Sequence, residues 1–209
     1  MNSHYPEKHV VHNGTQCPPS NEWEPSVWEE PKLGKQVFGE ITFSRKFGTT
    51  GSISSGFWRV APTSPGVQFD KSKKAHMAYS SPMGDETAVV IDGTAELTVR
   101  STGEKHPVGP GSIISTPKHL EVDWAIDAPY FKTFWVIWNG SSPVADASKD
   151  LKLNNVNDNP DKWTPYSRSD ANGGTLTSGE LCMIRDSGST GEIPPHVDFQ
   201  ASQILNGLP

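Results

Sequence analysis

Apolar and polar residues alternate along this chain in short runs, broken every few positions by glycine, proline, asparagine or aspartate. A period of two puts successive side chains on opposite faces of an extended strand, so the pattern predicts strands rather than helices. FWRVA at 57–61 sets Phe57 and Arg59 on one face and Trp58 and Val60 on the other. TAVVI at 87–91 and TAELTV at 94–99 flank Asp92-Gly93, which predicts a β-hairpin closed by a tight turn. GPGSIISTP at 109–117 reads as a strand entered from a Gly-Pro-Gly turn, and YFKTFWVIW at 130–138 is a strongly β-forming run. In that run Phe134, Val136 and Trp138 share one face and Trp135 and Ile137 the other, so one tryptophan faces inward and the pattern leaves open which.

The ends of the chain differ from this middle. Residues 1–36 are polar and interrupted by Pro6, Pro18, Pro19, Pro25 and Pro31, which predicts an extended arm able to wrap a neighbour through Trp23 and Trp28. Residues 37–140 carry the strand pattern, and 141–165, rich in Asn and Asp, read as a linker. Beyond the linker the chain repeats itself. FSRKFGTTGSISSGFWRVAPTS (43–64) aligns without gaps with YSRSDANGGTLTSGELCMIRDS (166–187): Ser44, Arg45, Gly51 and Gly56 recur as Ser167, Arg168, Gly174 and Gly179. ETAVVIDG at 86–93 likewise corresponds to QASQILNG at 200–207. Residues 166–209 therefore read as a partial second copy of the domain. Unpaired strand edges in such a copy predict packing on the barrel or on a partner subunit, as a homodimer completed by strand addition.

Composition narrows the functional classes. A hydrophobic fraction of 33%, with 19 Gly and 18 Pro, suits an all-β chain of many short strands. The net charge of −6, with no basic cluster beyond KSKK at 71–74, argues against a nucleic-acid partner. No apolar stretch is long enough to span a bilayer, and the start MNSHYPEKHVVHNG has no hydrophobic leader segment. His9 and His12 near Cys17 lack a second pair of ligands, and Cys17 and Cys182 share no metal-like spacing. The expectation is a cytoplasmic protein with reduced thiols and a small-molecule ligand.

Several pieces, in this order, resemble the cupin superfamily: the run Gly56–Trp58, Glu86 followed by Gly93, the turn Gly109–Gly111, Pro117 followed by Trp124, and the aromatic strand from Lys132 to Ile137. Within it the chain resembles the cupin-3 type related to (S)-ureidoglycine aminohydrolase and ethanolamine-utilisation cupins. The resemblance covers roughly 39–138, with the partial copy at 166–207. It implies a cupin double-stranded β-helix, a jelly-roll barrel with a ligand pocket in its mouth. Metal-binding members hold a divalent ion with three histidines and a carboxylate. Glu86 occupies the carboxylate position, but the matching histidine positions fall in Tyr79–Pro82 and at Val122, where there is none. His76 and His119 are the available stand-ins, giving with Glu86 a set for Mn, Fe, Ni or Zn. The plainer alternative leaves His76 on an exposed Lys-rich loop and His119, alternating with Leu120, on the solvent face. In the second copy His196 and Gln200 match one histidine and the carboxylate position.

Three functions follow. In the first, no cofactor is needed: Glu86, beside Tyr79, is the acid–base group of a non-redox lyase, isomerase or C–N hydrolase, because burial raises a carboxyl's pKa toward neutrality. Trp58, Arg59, Trp124, Lys132 and Trp138 would bind substrate; the plainer alternative is a structural ion pair of Glu86 with Arg59 or Lys132. In the second, His76, Glu86 and His119 hold the metal of an oxygenase or aminohydrolase. In the third, the barrel binds a metabolite or sugar without catalysis.

Overall fold

The structure is a computed structural model of the 209-residue chain, and it describes residues 23–46, 51–139, 151–156, 164–169 and 175–181, the last two segments through their backbone. The described residues form strands and turns only, and among them no helix is long and apolar enough to cross a membrane. The strands are β1 (Glu24–Glu30), β2 (Gly34–Arg45), β3 (Ile53–Val60), β4 (Lys74–Tyr79), β5 (Asp85–Asp92), β6 (Ala95–Val99) and β7 (Lys105–Val108). They continue as β8 (Ser112–Thr116), β9 (Val122–Asp127), β10 (Phe131–Trp138), β11 (Lys152–Asn155), β12 (Thr164–Ser169) and β13 (Thr175–Leu181).

Their pairing is nested: β6 with β7, β5 with β8, β4 with β9, and β3 with β10, all antiparallel. This is one long eight-stranded hairpin rolled upon itself, a jelly roll. Rolling places β3, β10, β5 and β8 in a sheet that β1, β2 and β11 extend to seven strands, and β4, β9, β6 and β7 in a sheet of four. Inward residues of both sheets form the core, with Val60, Val90, Ile114 and Phe131 from the larger and Leu97 and Ile126 from the smaller. Each such side chain contributes about 1.5–3 kcal/mol when fully buried. The all-β jelly-roll barrel is the architecture that the sequence implies.

Three local expectations are corrected. Asp92-Gly93 closes no hairpin, since β5 lies in the larger sheet and β6 in the smaller. A two-residue type I′ turn needs positive φ at both positions; Gly93 has φ 79°, while Asp92 does not share it. The pair instead carries the chain from one sheet to the other, and a Cβ at Gly93 would come within 2.1 Å of the Tyr130 carbonyl oxygen. The arm expected over residues 1–36 already belongs to the sheet from Glu24: β1 pairs with β2 through Trp28↔Gln36 and Glu30↔Gly34. Pro25 is tolerated because β1 is an edge strand with a register shift beside it. Trp28 packs in this chain's own core, and the Trp23 ring lies 4.2 Å from the Arg59 guanidinium. Within the expected linker, β11 adds a strand to β8.

β12 and β13 pair with each other in a separate two-stranded sheet. Ile41↔Trp58 and Thr42↔Phe57 in β2–β3 align with Thr164↔Leu181 and Pro165↔Glu180 under the expected repeat, but beyond the bulge the registers differ, with Arg45↔Ser55 against Arg168↔Leu176. The remainder of the expected repeat, with His196 and Gln200, lies outside the described residues, as do His9, His12, Cys17 and Cys182.

Candidate functional site

Strand alternation builds a cavity of about 280 Å³ between the sheets at one end of the barrel. β4 turns Met77 and Tyr79 inward and His76 outward. β10 contributes Thr133, Trp135 and Ile137, every second residue, and β5 contributes Glu86 and Ala88. Trp58 of β3, Trp124 of β9 and Trp28 of β1 complete the aromatic walls. Two of these rings also pack on the core: Trp58 and Trp124 meet edge to face at 6.1 Å, and each packs against Phe131. Such packing fixes the walls before any ligand arrives.

Glu86 is the polar centre of this cavity. Its strand is flanked on both sides, with Glu86 opposite Ile137 of β10 and Thr116 of β8, so its backbone position is rigid. The Tyr79 hydroxyl donates to Glu86 Oε2 at 2.6 Å. The Ser81 hydroxyl is 3.4 Å from the same oxygen and donates more strongly, at 2.6 Å, to the Gly84 carbonyl. Glu86 Oε1 has no hydrogen bond among the described residues, and no Lys, Arg or His side chain lines the cavity there. Burial pushes the Glu86 carboxyl up to about 7 against the opposing hydrogen bonds from Tyr79 and Ser81. Burial, reinforced by the Glu86 charge, pushes the Tyr79 phenol well above its ordinary range, so it stays a neutral donor.

The tryptophans offer this cavity ring carbon rather than N–H. Trp28 Nε1 donates to Glu30 Oε1 at 2.7 Å, and Trp58 Nε1 to the Phe38 carbonyl at 3.1 Å. The indole nitrogens of Trp124 and Trp135 are sealed from solvent and have no partner among the described residues.

A second cavity, of about 330 Å³, lies on the other side of Tyr79 and has a different character. Lys32, Arg100, His119 and Glu121 line it, and its ions are paired: Lys32 with Glu121, and Arg100 with Asp123 at 2.6 Å. Between the two cavities Glu30, 6% exposed, accepts hydrogen bonds from Trp28 Nε1, from the Ser80 amide at 3.0 Å and from the Ser80 hydroxyl at 2.6 Å.

The expected site residues therefore divide. Glu86, Tyr79, Trp58 and Trp124 come together in the cavity. Trp138 does not; it occupies the opposite face of β10, and Trp135 is the inward tryptophan. Arg59 and Lys132 are on outward-facing positions of their strands. Arg59 pairs with Glu40 at 3.0 Å, and the Lys132 ammonium lies 5.0 Å from the Phe57 ring. Neither neutralises Glu86. His76 is exposed and bonds Asp70 at 3.2 Å. His119 is exposed at φ 66° in the turn before β9, on the second cavity, and so does not share a strand with Asp123. His76, Glu86 and His119 are not assembled, and among the described residues no group of three His, Cys, Asp or Glu side chains is placed to hold a metal ion. The described residues around Glu86 by themselves thus do not fit a divalent metal. Sequence reasoning missed Glu30, Trp28 and Met77; the alternation in EPSVWEE was the available signal for the first two.

No family model matches this chain, and no curated protein does. Among solved structures, it is similar to a putative ethanolamine utilization protein Q from Salmonella typhimurium, with 14% identity over 56% of this chain and 94% of that one and a TM-score of 0.37. A cupin superfamily protein from Desulfitobacterium hafniense matches at 14% identity over 42% of this chain and 67% of that one, with a TM-score of 0.31. A putative glyoxylate induced protein from Pseudomonas aeruginosa matches at 15% identity over 64% of this chain and 45% of that one, with a TM-score of 0.44.

Proposed function

We propose that the barrel mouth is a small-molecule site in which Glu86 exchanges a proton with an apolar or aromatic metabolite. The reaction class is non-redox: elimination, isomerisation or hydrolysis of a C–N bond. One observation carries this reading: a carboxyl enclosed by apolar walls, raised to about 7, with one strong hydrogen bond and no cationic partner among the described residues. A group titrating near neutrality populates both forms, so it takes a proton in one step and returns it in the next. Tyr79 holds Oε2 and leaves Oε1 to the ligand. The aromatic walls orient the ligand and exclude water, which keeps the proton on the carboxyl–ligand path.

The test compares the full chain with Glu86→Gln. Both proteins are incubated with fractionated pools of small metabolites, and consumption is followed by mass spectrometry. The expected result is a compound consumed by the native protein, bound by Glu86→Gln, and turned over by the variant at least 100-fold more slowly, as general acid–base catalysis requires. Equal turnover by the variant overturns the reading. Binding without turnover by either protein would make the barrel a binding module.

A further inference from the structure

The charge balance of the main cavity is one-sided. Its described lining holds two carboxylates, Glu86 and Glu24, and no basic side chain. Lys46, at the mouth, already pairs with Glu24 at 3.7 Å, which leaves Glu86 as the uncompensated charge inside. The groups facing Glu86 do not offset it. β4 presents the Tyr79 hydroxyl, β10 presents Thr133, Trp135 and Ile137, and β8 places Thr116 opposite. Glu30, beyond Tyr79, adds negative charge.

The walls point the same way. Because all four tryptophan N–H groups are bonded elsewhere or sealed, the indoles give an anion no donor here, whereas an indole face turned to the cavity attracts a cation. The protein makes such a contact at the rim: the Lys46 ammonium sits 4.8 Å from the centroid of Phe43, a ring that lines the cavity. We infer that the ligand of this cavity is an organic amine with an apolar or aromatic body, its ammonium placed on Glu86 Oε1 among the indole rings. Carboxylates and phosphates are disfavoured, since they would face Glu86 with no cation among the described lining residues to offset it. This rests on the reading of the cavity as a small-molecule site and names its substrate class.

The experiment uses three probes that share a ring and differ in head group: benzylamine, benzyl alcohol and benzoate. Each is titrated into the full chain by calorimetry at pH 6 and pH 8. Benzylamine should bind at least about tenfold more tightly than benzyl alcohol at pH 8, and benzoate should not bind. Benzylamine affinity should rise about tenfold from pH 6 to pH 8, as a carboxyl with a pKa of about 7 ionises. Glu86→Gln should abolish both the preference and the pH dependence while keeping benzyl alcohol binding. If benzyl alcohol or benzoate binds as well as the amine, the amine inference falls and the small-molecule site stands. If none of the three binds to the native protein, both readings fall.

Discussion

Two enclosed carboxylates, Glu30 and Glu86, are served by adjacent residues at the end of β4, and they differ in how fully they are satisfied. Ser80 and Trp28 give Glu30 three donors between 2.6 and 3.0 Å, two of them fifty residues away in sequence. Tyr79 gives Glu86 one strong donor, and its second oxygen is left to the cavity. A carboxylate whose lone pairs are filled by the protein is a clasp: here it fastens β1, an edge strand, to the segment between β4 and β5. A carboxylate left short of partners in an apolar setting has a raised pKa and is available for chemistry.

The largest effect that tests this contrast is on Glu30. Glu30→Ala removes the acceptor and leaves an indole N–H, an amide and a hydroxyl without their partner. Each buried donor left unmade costs about 1–3 kcal/mol, so a loss of about 4 kcal/mol is expected in urea unfolding. A loss below about 1 kcal/mol would remove Glu30 from its structural role and undo the comparison.

Glu86 should behave in the opposite way, with an effect set by pH. Its folded pKa of about 7 lies above the ordinary 4.5. The folded state therefore binds the proton more tightly, and the associated stability is fully present below pH 4.5 and lost as pH rises through 7. The loss across that window is at most about 3 kcal/mol, at about 1.4 kcal/mol per pH unit. Glu86→Gln keeps the shape without the charge, so the variant should lack this contribution to the decline, and its stability relative to the native protein should rise across the window. Equal slopes for the two proteins between pH 4.5 and 7 would show that Glu86 is not the titrating group.

These two carboxylates were unequally legible in the sequence. Glu86 was visible because, with Gly93 seven residues on, it falls at the carboxylate position of the cupin motif that the sequence resembles. Glu30 was not, because its meaning comes from Ser80, which only the fold brings near. The same limit governs the rest of the site. Alternation sorted Trp135 from Trp138 and Trp58 from Arg59 onto opposite faces, but it carries no sign; which face is inner depends on the second sheet packed against it. Taking both Trp58 and its neighbour Arg59 as pocket residues conflicted with that alternation, and Arg59 proved to be outside, paired with Glu40. The misread hairpin at Asp92-Gly93 has a related cause. Composition announced a turn, while the φ of Asp92, which decides between a hairpin and a crossing, is set by the sheet that receives β6.

Tyr79→Phe gives the smallest effect and the sharpest discrimination between the two carboxylates. The substitution keeps the ring that packs edge to face on Trp28 at 5.7 Å and removes only the hydroxyl. The lost hydrogen bond should cost about 1–2 kcal/mol above pH 7, where Glu86 is ionised. Because that bond favours the charged carboxylate, its loss should move the Glu86 titration, read by carbon-13 NMR of the carboxyl, above its native value of about 7. Glu30 makes no hydrogen bond to Tyr79 among the described residues, so its carboxyl signal at a fixed pH should stay at its native position. Equal displacement of both signals would mean that Tyr79 acts on a shared environment, and the separation of clasp from reactive carboxyl would fail. Movement of Glu86 alone makes Tyr79 the residue that sets its proton affinity.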